Sequence, residues 1–352
     1  MIVHIISSIK GGGAEVSVRE LHKINLSKNL DSYAIYFTGG FVKLEKNEKI
    51  LNLHRTNPLI IFYLRKIIKK LLMKKKKLLV HVHLTWPFFY TVLAILGLKN
   101  IKLFYTEHDT TNRRRKIPFF KFVDRLFYAR YFSIVCISDG VRKALSKWVG
   151  PKIKGRLLTI SNGSRIFPLH YRPSLKKRLP RLISVGSLTY KKNFSTVVAA
   201  IAELRDDIEN YTIVGEGPER KKLQRMIKSM QLENKVNLIG WSDNIKKYLN
   251  NADIQIIPSL VEGFGLVAVE GMSTGLPIVA SNVEGLKQVL GYPNPSVTLV
   301  NKTRSSKSWK IGIHKSINNL KKLGTKKVSR FSRKQALKFN FKNMAKNYLD
   351  NY

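Results

Sequence analysis

Two carboxylates, Glu262 and Glu270, stand eight residues apart inside PSLVEGFGLVAVEGMSTG, residues 258–275, a run otherwise apolar and studded with glycine. Carboxylates accept hydrogen bonds from sugar hydroxyls, and Gly263 and Gly265 permit the tight backbone turns that let a ligand approach closely. The preceding DIQIIPS reads as a buried strand ending at Pro258. A helix is expected to begin near Phe264–Gly265, and its unpaired N–H groups suit a diphosphate. Glu270 then falls about one and a half turns into that helix, where ribose hydroxyls could donate to it. Glu262, just before the helix, can reach the sugar end of the same ligand. Two solvated acids would fit the same spacing, but Glu270 lies between Val269 and the small, glycine-bounded GMSTG, poor company for a solvated face.

Other residue types invite the same scrutiny. Lys191 and Lys192 in SVGSLTYKKN follow a strand and precede a helix, a place for phosphate as well as for a solvated turn. His108 ends the strand-like YTEH, where it could serve catalysis or be held structurally by Glu107 and Asp109. His81 and His83 alternate on LVHVHLTW and so share one strand face, as a metal pair could. No convincing third ligand accompanies them, and no metal is expected. Cys136 is the only cysteine, so no disulfide forms within the chain; a buried inert thiol and a reducing compartment are expected.

These residues need a frame. Strands are expected at Val3–Ser7, Tyr33–Phe37, Leu79–His83, Lys102–Thr106, Ser133–Ile137 and Leu157–Ile160, with helices over Ala14–Lys28, Pro58–Lys76 and Asp139–Val149 between them. A second series opens at LISVGS and runs through YTIVGEG, VNLIG, IQIIPS and PIVAS. Such alternation argues for parallel sheets covered by helices on both faces. The expected division is a first Rossmann-like domain over 1–166, a linker over 167–180 in the proline-rich, basic FPLHYRPSLKKRLP, a second Rossmann-like domain over 181–330, and a C-terminal helical segment, 331–352. The opening MIVHIISSIKGGGAE reads as strand then loop, not as a secretory leader. The longest apolar stretch, 84–98, is broken by Pro87 and falls short of the ~20 residues a membrane span needs.

The stretch PSLVEGFGLVAVEGMSTGLPIVASNVEGLKQVL resembles the glutamate-x7-glutamate signature of family-four retaining glycosyltransferases. Along the chain, GGGAE at 11–15 resembles that family's glycine loop, YTEHD its threonine-x-histidine segment, and ISNGS its interdomain asparagine-glycine turn. SVGSLTYKKN resembles its phosphate-binding stretch, while VGEGPER and VNLIGW are similar to strand ends bordering the base. The resemblance implies a GT-B fold: α/β, two facing doubly wound parallel-sheet domains with a deep cleft, the first binding acceptor and membrane and the second the nucleotide sugar, with the C-terminal helix over 331–352 packing back on the first domain. It implies that Glu270 holds the ribose, that Gly263, Phe264, Gly265 and Leu266 offer backbone contacts, and that Glu262 sits at the transferred sugar. Lys192, beside Lys191, would stabilise the departing diphosphate. His108 would lie near the reactive carbon, Gly12 and Gly13 would let the first domain approach the ligand, and Gly215 and Trp241 would border the nucleotide. Ser187 stands where the family usually has a phosphate-binding arginine. Lys191 or another cation would replace it.

The charge is the other large signal: 64 basic against 22 acidic residues, +42. Arg65, Lys66, Lys69, Lys70, Lys74, Lys75, Lys76 and Lys77 lie beside apolar residues at helical spacing, and Arg113, Arg114 and Arg115 precede an aromatic-rich stretch. Both patterns suit an anionic membrane surface, where each cation contributes ~1 kcal/mol. Part of the first apolar stripe must also cover the protein's own sheet, and a core-packed helix with a solvated lysine face would fit the same spacing. Nucleic acid is the rival partner for such charge, but no recognised nucleic-acid module accompanies it and none is expected to bind. The resemblance therefore implies a metal-independent enzyme without cofactor. It would sit at the cytoplasmic face of the inner membrane and move a sugar, commonly from a UDP-sugar, to a lipid-linked or growing glycan of bacterial surface polysaccharide (O-antigen, capsule, exopolysaccharide or lipopolysaccharide). A GT-B hydrolase or epimerase of sugar nucleotides, or a non-catalytic basic binding protein, would share the scaffold.

Overall fold

The computed structural model describes every residue except Phe41; the side chain of Arg113 also lies outside the described residues. The chain divides into two units, Met1–Gly163 with Phe341–Tyr352, and Ser164–Asn340.

In unit 1 the strands are β1 (Ile2–Ser8), β2 (Ser32–Thr38), β3 (Glu48–Ile50), β4 (Leu78–His83), β5 (Ile101–Glu107), β6 (Ser133–Cys136) and β7 (Leu157–Thr159). They pair in parallel in the order β3-β2-β1-β4-β5-β6-β7. The connections are α1 (Gly13–Ser27), α2 (Ile60–Lys74), α3 (Thr85–Ala94), α4 (Phe119–Tyr128), α5 (Asp139–Trp148) and α6 (Pro151–Lys154). The sheet is parallel because its strands read as near-continuous apolar runs buried on both faces: Val3, Ile5, Ile6, Val80 and Val82 are all fully buried. Register places His4 of β1 beside His81 of β4. In α3, Pro87 sits within the first turn, where a missing N–H costs nothing, so the apolar run after Leu84 folds as a helix despite its proline.

Unit 2 carries β8 (Arg181–Val185), β9 (Asn210–Val214), β10 (Val236–Gly240), β11 (Ile254–Ile257), β12 (Ile278–Ser281) and β13 (Val297–Val300), ordered β10-β9-β8-β11-β12-β13 and again parallel. Its helices are α7 (Phe194–Ala202), α8 (Arg220–Ser229), α9 (Ile245–Asn250), α10 (Leu266–Ser273), α11 (Glu284–Leu290), α12 (Ser306–Leu323) and α13 (Thr325–Ala336). Trp309 of α12 is fully buried in the main core with Leu182, Tyr211, Ile256 and Val279.

Three boundaries differ from the sequence reading. Residues 164–166 belong to unit 2, not to the first domain. Residues 167–180 are tied down in that unit: the buried Arg172 donates to the carbonyls of Leu249, Ala252 and Thr274. Residues 331–340 also stay there, because α13 packs on α10 and α11. The segment that joins unit 1 is α14 (Phe341–Leu349), whose Met344, Ala345 and Tyr348 pack with Leu21, Val135 and Ile160.

Candidate functional site

In unit 2, β11 ends at Ile257 and α10 starts at Leu266, leaving residues 258–265 as the turn at the carboxyl end of a central strand, where parallel sheets bind ligands. Gly265 caps the helix in a left-handed conformation, φ +91°, and a Cβ there would stand 2.5 Å from Leu286 Cδ2. Only glycine fits that cap without strain. Glu262 accepts from Lys192 Nζ at 2.7 Å and from Ser259 Oγ at 3.1 Å. The Lys192 chain runs past Gly186 at the end of β8, with its Cε 3.6 Å from where a Cβ would be. The acid before the helix and the cation after β8 thus meet, 70 residues apart in sequence.

Glu270 is buried, and its Oε1 accepts from both Nε and Nη2 of Arg165 at 2.9 Å. Burial pushes this carboxyl up from the usual range, and the guanidinium beside it acts against that shift. Sequence reasoning did not single out Arg165. Its only signal was its place just after the asparagine-glycine turn at 162–163, since the fold alone supplies its partner 105 residues away.

The strand ends beside this turn are closely packed. Gly215 N donates to Gly240 O at 2.8 Å, and a Cβ on Gly215 would meet Gly186 O at 2.0 Å, so the loops after β8, β9 and β10 touch through backbone alone. Ser187 and Lys191 are exposed there, and Trp241 presents most of its ring to solvent. Arg304 lies over the Tyr190 ring at 5.6 Å, a second cation next to Lys191 in this loop cluster. Phe264, by contrast, points into the core, edge-on to Phe339 at 5.5 Å. Its backbone alone is available to a ligand.

In unit 1, a pocket of about 850 Å³ opens at the carboxyl ends of β1, β2 and β4. Lys10, His54, Arg55, Trp86 and Arg114 line it, together with Ser8 and Thr38. Leu84, on its wall, adopts φ +68° and ψ 168°, a region that non-glycine residues occupy at a cost of ~1–3 kcal/mol, and such strain concentrates at functional sites. Gly12 caps α1 and Gly13 is its first residue, while Glu15 folds back over Gly11, its Cδ 2.8 Å from a Cβ placed there. His108 follows β5, with Nε2 3.4 Å from His83 Nδ1; burial pushes it down to about 4, so it is neutral at pH 7.

Two readings need correction. His81 and His83 do have a third histidine beside them, His4, brought next to His81 by strand register. Arg114 and Arg115 are unavailable to a membrane because their side chains are only 9% exposed. Arg114 pairs with Asp124 at 2.9 Å and Arg115 with Glu107 at 2.5 Å, beneath Tyr128, whose hydroxyl donates to Glu107 at 2.7 Å. A buried cation needs such partners. In α2, Ile60, Leu64, Ile68 and Leu71 face the protein's own core, Arg65 donates to the carbonyls of Ala94 and Leu96, and Lys75 pairs with Asp31. Lys66, Lys69, Lys70, Lys74, Lys76 and Lys77 remain exposed beside Phe62, Tyr63 and Met73. In α4 the exposed apolar stripe is Phe119, Phe122 and Leu126. No helix among the described residues is long and apolar enough to cross a membrane.

Residues 11–164 match the family described as Glycosyltransferase Family 4, and residues 170–333 match Glycosyl transferases group 1. The amylovoran biosynthesis glycosyltransferase AmsK of Erwinia amylovora is 34% identical over 136 residues, 36% of this chain and 33% of that protein. An uncharacterized 41.2 kDa protein in the cps region of Klebsiella pneumoniae is 25% identical over 82% of this chain and 83% of its own length. HepE of Anabaena, solved in complex with UDP-glucose, aligns with a TM-score of 0.82 at 18% identity, over 99% of this chain and 98% of that one, a likeness of fold. Against several curated relatives the match spans only a third to just over half of the relative's length. The two family matches follow one another along nearly the whole sequence, one on each doubly wound unit, and the chain belongs to the family-four glycosyltransferases of GT-B fold.

Proposed function

We propose that the chain transfers a sugar, with retention of configuration, from a nucleotide diphosphate donor to a glycan acceptor of bacterial surface polysaccharide. The observation that carries this reading is the convergence of Lys192 and Glu262 at the start of α10, with Glu270 held in the same helix by Arg165. In this proposal Glu270 accepts from the ribose hydroxyls and the first N–H groups of α10, with Gly263 and Leu266, meet the diphosphate. Lys192 turns from Glu262 toward the phosphate as charge develops there, and Glu262 takes the sugar's hydroxyls. Lys191 and Arg304 supply the cation that Ser187 does not. His108, neutral, serves the sugar's reacting carbon. The bond from that carbon to the phosphate oxygen breaks as the acceptor oxygen bonds on the same face, and the acceptor proton passes to the departing phosphate. Cationic side chains and the helix terminus neutralise the diphosphate, so no divalent ion is needed at this step.

A uridine donor is supported by the UDP-glucose complex of HepE, and a polysaccharide product by the name of AmsK. The unit 1 pocket, with Lys10, Arg55 and Trp86, suits a glycan that bears negative charge, such as one linked through diphosphate to a lipid. The lysines of α2 and the apolar stripe of α4 suit reversible attachment to an anionic leaflet on the cytoplasmic side. The test is a screen of nucleotide sugars for thermal stabilisation, followed by transfer assays of Glu262→Ala and Lys192→Ala. Both variants should fold and lose transfer. Near-wild-type transfer in both would refute the assignment, and donor turnover without acceptor at the full rate would identify a hydrolase.

A further inference from the structure

Three histidines of unit 1 that the transfer reaction does not use lie on one face of the sheet. His4 of β1 and His81 of β4 are register partners, and His83 stands two residues farther along β4 on the same side. All three are buried. Their ring centroids are 4.1, 5.6 and 6.0 Å apart, and one ring nitrogen from each lies within 4.8 Å of the others.

We propose that His4, His81 and His83 form a site for one divalent transition-metal ion, of which zinc is the best match. Three imidazoles holding a tetrahedral ion at about 2.0–2.1 Å set their ring centroids about 5 Å apart. The three observed separations straddle that value. Closing the nitrogens onto an ion needs ring movements on the order of 1 Å. An all-imidazole donor set suits zinc, copper, cobalt or nickel and not magnesium or calcium.

The hydrogen bonds around the rings carry the argument further. A metal-bound histidine uses one nitrogen for the ion and donates the other N–H to a neighbouring group. His4 Nδ1 and His83 Nε2 are buried and have no hydrogen-bond partner among the described residues. The second nitrogen of each ring does have a neighbour: His4 Nε2 meets the Asn25 amide at 3.2 Å, and His83 Nδ1 meets His108 Nε2 at 3.4 Å. With its amide turned, Asn25 Oδ1 accepts from His4. His81 is bonded at both nitrogens, to Thr106 Oγ1 at 2.7 Å and to the Tyr352 hydroxyl at 2.6 Å. It gives one of these bonds to the ion and keeps the other.

The ion would fix His83 as the Nδ1–H tautomer, which makes His108 Nε2 the acceptor and leaves the proton of neutral His108 on Nδ1. The site is thus structural, with one consequence for the histidine beside it.

The test uses the full chain purified without a histidine tag, stripped with a strong chelator and loaded with Co2+. Close to one cobalt per chain should survive gel filtration and show the visible bands of tetrahedral coordination. Zn2+ should displace it and raise the melting temperature by several degrees. His4→Gln and His83→Gln should each lose the ion, whereas His314→Gln and Cys136→Ser should keep it. X-ray absorption of the cobalt-loaded wild type, which needs no variant to fold, should show three imidazole nitrogens. Substoichiometric cobalt in folded protein, an oxygen-only shell, or retention by both folded variants would overturn the site and leave an ordered water as the bridge between the two unpartnered nitrogens.

Discussion

Replacing Arg165 with glutamine probes the donor grip of unit 2 through a residue that need not touch the donor. Glu270 is only 7% exposed on its side chain, and Arg165 gives it two charge-assisted contacts at 2.9 Å. At about 4 Å between charges and an effective dielectric of about 20, the attraction is ~4 kcal/mol. The guanidinium is 46% exposed, so screening roughly halves this to ~2 kcal/mol. Burial already raises the Glu270 carboxyl, and without Arg165 it rises further. The sign follows: a group raised in the folded state stabilises below its unfolded value, and that contribution is lost as pH climbs through the folded value. Arg165→Gln should therefore be less stable than wild type at neutral pH, with the gap closing as pH falls toward the ordinary carboxylate range. Ribose needs the ionised carboxylate, so UDP affinity should fall at neutral pH, by at most the roughly 30-fold that ~2 kcal/mol corresponds to, and recover as pH rises. Calorimetric titration of UDP across pH, paired with melting curves of both proteins, reads the two trends. If Arg165→Gln binds UDP equally well or more tightly at every pH, Arg165 competes for Glu270 instead of holding it, and the reasoning fails.

Other substitutions test neighbouring claims. Gly265→Ala forces a side chain into φ +91° against Leu286, and should cost ~1–3 kcal/mol in denaturant unfolding; an unchanged midpoint would contradict the cap. Lys192→Ala should lower the transfer rate by ~10²–10³-fold, and added Mg2+ or Mn2+ should not raise the wild-type rate. His4, His81, His83 and His108 all lie below the ordinary histidine value in the folded state, so stability is intact above about pH 6.5 and each removes up to ~1.4 kcal/mol per pH unit below it; denaturant midpoints from pH 7.5 to 5 measure this. Phe119→Ser with Phe122→Ser removes two of the most exposed aromatics of α4 and should weaken flotation with anionic vesicles by at least ~10-fold, while transfer to a water-soluble acceptor persists.

The readable part of this protein was local. IQII bounded by Pro258 announces a strand, the glycines after it a turn, and the interval between Glu262 and Glu270 places one acid before a helix and one inside it. The three-residue β3 is too short to show a period, and β13 is built from VTLV in a stretch that offers no flanking pattern. What stayed hidden were pairings made by the fold. Arg114 and Arg115 were expected at an anionic membrane surface until Asp124 and Glu107 met them in the interior. His4 lies 77 positions from its register partner His81, and Arg165 finds Glu270 only because unit 2 brings α10 to the turn after residue 163. Periodicity reports which face a residue takes; it does not report who stands opposite.

The most direct measurement is a crystal structure with an intact nucleotide sugar or a hydrolysis-resistant analogue. The account predicts a ribose hydroxyl within hydrogen-bond distance of a Glu270 carboxylate oxygen, the diphosphate on the first N–H groups of α10 with Lys192 Nζ against it, and Glu262 on the sugar. A nucleotide seated elsewhere, or one that leaves Lys192 and Glu262 bonded to each other and untouched by the ligand, would contradict it.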